Sequence, residues 1–279
     1  MNKYAMRKDL YNGKIWTLES FDGTKLFASK SLIEDMKAVV VIVHGLAEHS
    51  GRYDYVAKKL NEANFGVYRF DHRGHGKSEG ERTHFNDYND LIDDINHVLE
   101  LAKKENPDLP IFLIGHSMGG FGVTSFGTKY PQKVNGIVSS GALTRDLNNS
   151  VKSALTDLDP STRIPNELGE GVCSVEEVRE DYQNDPLNEK SYSIGLAQQL
   201  AKGLDWLEKH PTDFVDPILI LHGEKDGLVS YEDSLKFFKE IESEDKQVKI
   251  YGKLFHEIFN EYMKDEVIQD AISWIENRI

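Results

Sequence analysis

A chain of 279 residues, with the apolar, charged and aromatic fractions of a globular protein, is long enough to bury a large core in one big domain or two small ones. Its 33 lysines and arginines stand against 47 aspartates and glutamates, and the net charge of −14 disfavours nucleic acid and anionic membrane surfaces, leaving a neutral or weakly charged small molecule as the simpler partner. The one cysteine, Cys173, excludes an intrachain disulfide, and residues 1–13 hold no apolar run fit for a signal peptide or membrane span, so the expected location is the cytoplasm.

Lys14 to Glu19 and Lys25 to Leu32 are short alternating segments around Asp22-Gly23, the chemistry of a hairpin turn. Ala38 to Val43 is apolar throughout and rich in β-branched residues, which predicts a central strand buried on both faces. After it comes the loop His44-Gly45-Leu46-Ala47-Glu48-His49-Ser50-Gly51-Arg52-Tyr53, then an amphipathic helix from about Tyr53 to Asn64. Gly66 to Phe70 reads as the next strand, and Asp71 to Gly80 is too glycine-rich and charged to be anything but a loop at its end. Apolar residues recur at helical spacing from Asn86 to Asn106, before Pro107 and Pro110. Within that helix Asp93-Asp94 is expected on a solvated face.

Ile111 to Ile114 is a further buried strand, and Gly115-His116-Ser117-Met118-Gly119 follows it directly. This is the G-x-S-x-G pattern of a nucleophile elbow, in which small residues let the chain turn sharply from strand to helix with the serine exposed and strained at the turn. A helix to about Tyr130 and a strand from Val134 to Ser140 come next. Thr144 to Phe214 then breaks the rhythm, with helical stretches near Ser174 to Asp181 and Ser191 to Glu208 but no convincing buried strand. The alternation resumes with a strand over Pro217 to Gly223, a helix from Tyr231 to Ile241, a strand from Gln247 to Tyr251 and a helix from Asp265 to Arg278. The expected architecture is a mostly parallel α/β sheet built from 1–143 and 215–279, interrupted by a cap over 144–214.

A serine hydroxyl needs a base within hydrogen-bond reach, itself oriented by a carboxylate. For Ser117 the chain order Ser, acid, His points to an acid after a late strand and a base after the last one. Asp226 and the rival Glu224 both follow the Pro217 strand, with Asp226 the better placed; His256 follows the Gln247 strand. His222, at a strand end, fits a structural imidazole better than a base. Acyl transfer also needs donors for the oxyanion, and the backbone amides of Met118, after the nucleophile, and Leu46, after His44-Gly45, stand where this geometry wants them. His72 and His75 are expected to shape their loop by hydrogen bonds and not to bind a metal, and His116 to be packed beside the elbow. Gly119-Gly120 serves close helix–strand packing, and Cys173 is inert.

The segments His44 to Tyr53, Phe70 to Gly80, Gly115 to Gly120, Leu221 to Asp226 and His256 to Glu261 resemble the monoacylglycerol lipase and lysophospholipase family of α/β-hydrolases over nearly the whole chain except the cap. The resemblance implies an α/β-hydrolase fold with an inserted, mainly helical cap that shapes an acyl tunnel. It also implies a serine esterase with the triad Ser117, Asp226 and His256, oxyanion amides at Leu46 and Met118, and no metal or organic cofactor. The mammalian monoacylglycerol lipases carry a histidine three residues after the catalytic one; Phe259 stands there in this chain. Their cap is markedly apolar, whereas Thr144 to Phe214 has fourteen acidic and seven basic residues, a net of −7, which argues for at most weak peripheral membrane contact. The leading expectation is hydrolysis of a monoacylglycerol or another medium-to-long acyl ester. A lysophospholipase or a broad carboxylesterase is the alternative, followed by an aminopeptidase of the same fold and a non-catalytic ligand receptor.

Overall fold

The computed structural model describes residues 13–154 and 157–279; the reading of the extreme N-terminus falls on residues 1–12 and lies outside them. In chain order the strands are β1 (Lys14–Glu19), β2 (Lys25–Ser31), β3 (Ala38–Val43), β4 (Phe65–Phe70), β5 (Ile111–His116), β6 (Gly136–Ser140), β7 (Arg163–Pro165), β8 (Ser191–Ser193), β9 (Ile218–Gly223) and β10 (Lys246–Tyr251). Eight of them form one sheet in the order β1-β2-β4-β3-β5-β6-β9-β10. The β1–β2 hairpin and the β2–β4 pair are antiparallel, and every pairing from β4 to β10 is parallel.

The helices are α1 (Asp54–Glu62), α2 (Asn89–Glu105), α3 (Met118–Lys129), α4 (Glu176–Asn184), α5 (Ile194–Lys209), α6 (Tyr231–Glu240) and α7 (Lys264–Glu276). β3 shows why the sheet must be covered on both sides. Val39, Val41 and Val43 enter an apolar cluster with α2, α3, α5 and α6, while Ala38, Val40 and Ile42 enter a second cluster with α1 and α7. A strand with no polar face is stable only between two helical layers, and each fully buried valine or isoleucine contributes roughly 1.5–3 kcal/mol.

The segment between β6 and β9 holds α4, α5 and the β7–β8 pair. Reading it as strandless is thus corrected: Ile164 pairs with Tyr192 in an antiparallel ladder of three residues per strand, too short to show alternation. For the same reason the helix expected from Ser191 starts at Ile194, where Ser193 caps it by accepting from the Leu196 amide at 3.0 Å. Asp94 is a second correction. It is 1% exposed and accepts from Arg73 Nε and Nη2, both at 2.8 Å, and from Ser20. The 71–80 loop folds back over α2 and delivers the guanidinium, while Asp93 keeps a half-buried place beside Lys129 and Tyr130.

Candidate active site

Ser117 joins β5 to α3 with φ 55° and ψ −117°, a conformation that costs a non-glycine residue of order 1–3 kcal/mol and must be held by its surroundings. Its amide donates to the Ser140 carbonyl at 2.9 Å and its carbonyl accepts from the Phe121 amide at 3.0 Å. The start of α3 presses so closely on β3 that a Cβ on Gly119 would overlap the carbonyl oxygens of Val43 and His44, so close packing accounts for that glycine. The Ser117 side chain keeps partial exposure at this turn.

Asp226 follows β9, and its side chain is fully buried. Oδ1 accepts from the Leu228 and Val229 amides, both at 2.9 Å; Oδ2 accepts from His256 Nδ1 at 2.6 Å and from His222 Nε2 at 3.0 Å. Burial alone would raise the carboxyl, but the charge of His256 and the hydrogen bonds from both imidazoles hold it well below the usual carboxylate range. The rival Glu224 is exposed and lies 3.7 Å from Lys225.

His256 follows β10 and is 4% exposed. Burial works to lower its pKa; the Asp226 charge and hydrogen bond overcome this and raise it above the ordinary imidazole value. Because Nδ1 faces a carboxylate it carries the proton, which leaves Nε2 as the lone-pair nitrogen. The His116 ring lies against it with centroids 4.6 Å apart, packed as expected, its pKa driven down to about 3 by burial and by His256. A Cβ on Gly45 would lie 3.2 Å from Ser117 Cβ and 3.4 Å from His116 Cδ2, so the turn that carries Leu46 abuts the serine. Among the described residues neither the Leu46 nor the Met118 amide donates to a protein acceptor, and Met118 opens α3, where an amide has no intrahelical partner.

Sequence reasoning passed over a buried ion cluster beside this site. Arg52 donates from Nη1 to Glu48 Oε2 at 2.6 Å and to Glu257 Oε1 at 2.5 Å, and from Nη2 to Glu257 Oε2 at 2.7 Å. Glu48 Oε1 also accepts from the Gly45 amide at 2.6 Å and from Tyr53 Oη at 2.7 Å. Buried charges survive only when paired in this way, and here the pairing ties the turn before Leu46 to the residue after His256. The i, i+4 spacing of Glu48 and Arg52 was the available signal; Glu257 lies too far along the chain to be read as their partner.

Residues 172–189 bond to the same two loops. The Glu257 amide donates to the Val172 carbonyl at 2.7 Å and the Glu189 amide to the Ala47 carbonyl at 2.9 Å; His49 Nε2 meets Asp185 Oδ2 at 2.9 Å, and the Arg52 guanidinium lies 4.9 Å from the Tyr182 ring.

The remaining residues take structural places. His44 Nε2 accepts from the His72 amide at 2.9 Å, and the rings of His44, His72 and His75 pack together with their pKa values lowered by burial, that of His75 to about 3. No group of three metal-ligating side chains is arranged to hold an ion among the described residues. Burial pushes the Cys173 thiol up to about 12, far from a reactive thiolate. Phe259 is 3% exposed within the α1–α7 apolar cluster, so this position is part of the core.

A strand–turn–helix elbow on a mostly parallel sheet, with an aspartate–histidine pair on the loops after the last two strands, defines an α/β-hydrolase. The profile of the family described as serine aminopeptidase, S33, matches residues 34–263, and the chain belongs to that hydrolase family. It is 34% identical to a monoacylglycerol lipase of Mycolicibacterium smegmatis over 86% of this chain and 89% of that one. It is 30% identical to the monoglyceride lipase of Mus musculus over 87% and 84%. The crystal structure of the Paleococcus ferrophilus monoacylglycerol lipase superposes with a TM-score of 0.81 at 29% identity, covering 91% of this chain and 99% of that one. Among the described residues no helix is long and apolar enough to cross a membrane.

Proposed function

We propose that this carboxylic ester hydrolase cleaves uncharged acyl esters, monoacylglycerols or similar medium-to-long acyl esters in particular, through an acyl-enzyme on Ser117. The observation that carries the mechanism is the 2.6 Å Asp226–His256 pair on a site that also holds a serine in a strained elbow. His256 Nε2 takes the Ser117 proton as Oγ bonds to the substrate carbonyl carbon, and Asp226 stabilises the imidazolium so formed. The oxyanion accepts from the amides of Leu46 and Met118, where each donor is worth roughly 10²–10³ in rate. His256 then gives its proton to the leaving alcohol, and water repeats the sequence on the acyl-enzyme to release the acid and restore Ser117.

Kinship with the monoacylglycerol and monoglyceride lipases supports the glyceride substrate, and the acidic 144–214 segment disfavours anionic head groups. We assign that segment as a cap because 172–189 bridge the loops of Leu46 and His256. Cytoplasmic placement accords with a single, buried cysteine.

The test is initial turnover on esters of one fatty acid, as monoacylglycerol, lysophosphatidylcholine and p-nitrophenyl ester. Serine-dependent preference for the glyceride is expected, and Ser117→Ala should lower turnover by about 10³-fold or more. Full activity in that variant would sink the acyl-enzyme. The family's description favours peptide anilides as a second substrate class; cleavage of these in preference to every ester would replace the esterase reading.

A further inference from the structure

Asp226 meets more than the base it is proposed to orient. Each of its carboxylate oxygens takes two N–H donors, which fills the lone-pair sites of both. On Oδ2 the two donors are both imidazoles, His256 and His222. The His222 ring is completely buried, and its tautomer can be read from its neighbours. Nε2 faces two acceptors, Asp226 Oδ2 at 3.0 Å and the Val229 carbonyl at 3.1 Å, so it carries the proton. Nδ1 lies 2.8 Å from Ser234 Oγ on α6, a buried hydroxyl that can donate to it. The chain of hydrogen bonds therefore runs Ser234 to His222 to Asp226, with one direction throughout.

We propose that His222, fixed in its tautomer by Ser234, is a positioning residue that shares Oδ2 of Asp226 with His256 and so sets how strongly the carboxylate holds the base. The inference rests on the acid and base roles proposed above for Asp226 and His256. Two donors on one oxygen compete for the same electron density, so the His222 bond weakens the pull of Asp226 on His256 while pinning the oxygen in place. Without His222, Oδ2 has a vacant buried lone-pair site. The carboxylate then becomes a stronger acceptor for His256 and is less well fixed.

Among the described residues the other charged or titratable groups acting on His256 include His116 from the end of β5, Glu257 beside it and Glu48 from the segment after β3, with Arg52 paired to both glutamates. None of these hydrogen-bonds Asp226 among the described residues. A change transmitted through the carboxylate is therefore separable from a change in their surroundings.

The experiment is the pH profile of kcat/KM for a p-nitrophenyl ester, with the NMR resonance of the Nδ1 proton of His256 followed in the same proteins. In His222→Leu the acid limb should move up by about 0.5–1 pH unit, the plateau should fall roughly tenfold and the proton resonance should shift. His222→Gln, whose amide can donate to Oδ2, should recover most of the plateau and return the limb toward its original position. Ser234→Ala keeps the imidazole but frees its tautomer, and should move limb and resonance in the same direction by less. If His222→Leu does not fold, Ser234→Ala decides. A limb and a resonance both unmoved in the folded variants would overturn the proposal. Asp226→Asn and Ser117→Ala are run beside them. Loss of activity there with no shift in the His222 or Ser234 variants overturns this inference alone, whereas retained activity overturns the mechanism beneath it.

Discussion

His256 gathers the electrostatics of the site, and its raised pKa fixes the sign of two pH effects. As the proposed base, His256 works only when neutral, so kcat/KM should rise with pH and reach half its plateau above the ordinary imidazole value of 6.5, as measured with an uncharged ester. Folding carries the opposite dependence. A histidine whose folded pKa is raised contributes stability that is complete below 6.5 and lost as pH rises through the folded value. Asp226→Asn removes the charge responsible for the rise, and should lower kcat by about 10⁴-fold while moving the acid limb down. Gly119 is limiting in a steric sense. Gly119→Ala drives a Cβ into the Val43 and His44 carbonyls, which belong to rigid backbone, and should cost about 2–3 kcal/mol in urea unfolding, with activity falling further than stability because the elbow and the Leu46 turn share that contact.

Among the elements, the 172–189 stretch is joined to the rest by a small number of identifiable bonds. Asp185→Ala cuts its hydrogen bond with His49, which holds the aspartate below the usual carboxylate value despite burial. Limited proteolysis should then cleave this stretch several-fold faster, with the unfolding midpoint of the sheet little changed. What could be read from the amino-acid order divides along the same lines. β3 is evident because six apolar residues without alternation fit a strand covered on both faces, and Ser117 stands out because it directly follows such a strand; the proposed acid and base, Asp226 and His256, lie in loops a few residues beyond β9 and the mixed strand β10, and are suggested by chain order. The three-residue ladder of β7 and β8 offers no period to detect. Asp94 looks solvated beside Asp93 because its partner Arg73 comes from a preceding loop, and the Glu48–Arg52–Glu257 cluster closes only when two distant loops meet. Period and turn chemistry report on local structure; contacts between loops are set by how the sheet brings its ends together.

At the scale of the molecule, one buried carboxylate beyond the site leaves its mark on stability. Asp216 accepts from the Gln132 amide at 2.9 Å and is 1% exposed, and burial raises its pKa from 3.8 to about 6. Between those values the folded chain holds a proton that the unfolded chain has lost, so this residue takes away stability as pH rises, by up to ~3 kcal/mol. The stability of Asp216→Asn relative to the unmodified protein should therefore climb from pH 4 to pH 6 in denaturant titrations, and a constant difference would refute the assignment. The sheet order has a further consequence, in time. Ser117 and Leu46 follow strands that precede the 144–214 segment, and Asp226 and His256 follow strands that come after it; β9 must find β6 across the whole stretch from Gly141 to Pro217. Pairing over so long a span is slow compared with forming β3, β4 and β5 side by side. During refolding from denaturant, ester turnover should accordingly return later than the circular-dichroism signal of the sheet. A newly made chain would hold Ser117 apart from its proposed acid and base until its last strands dock.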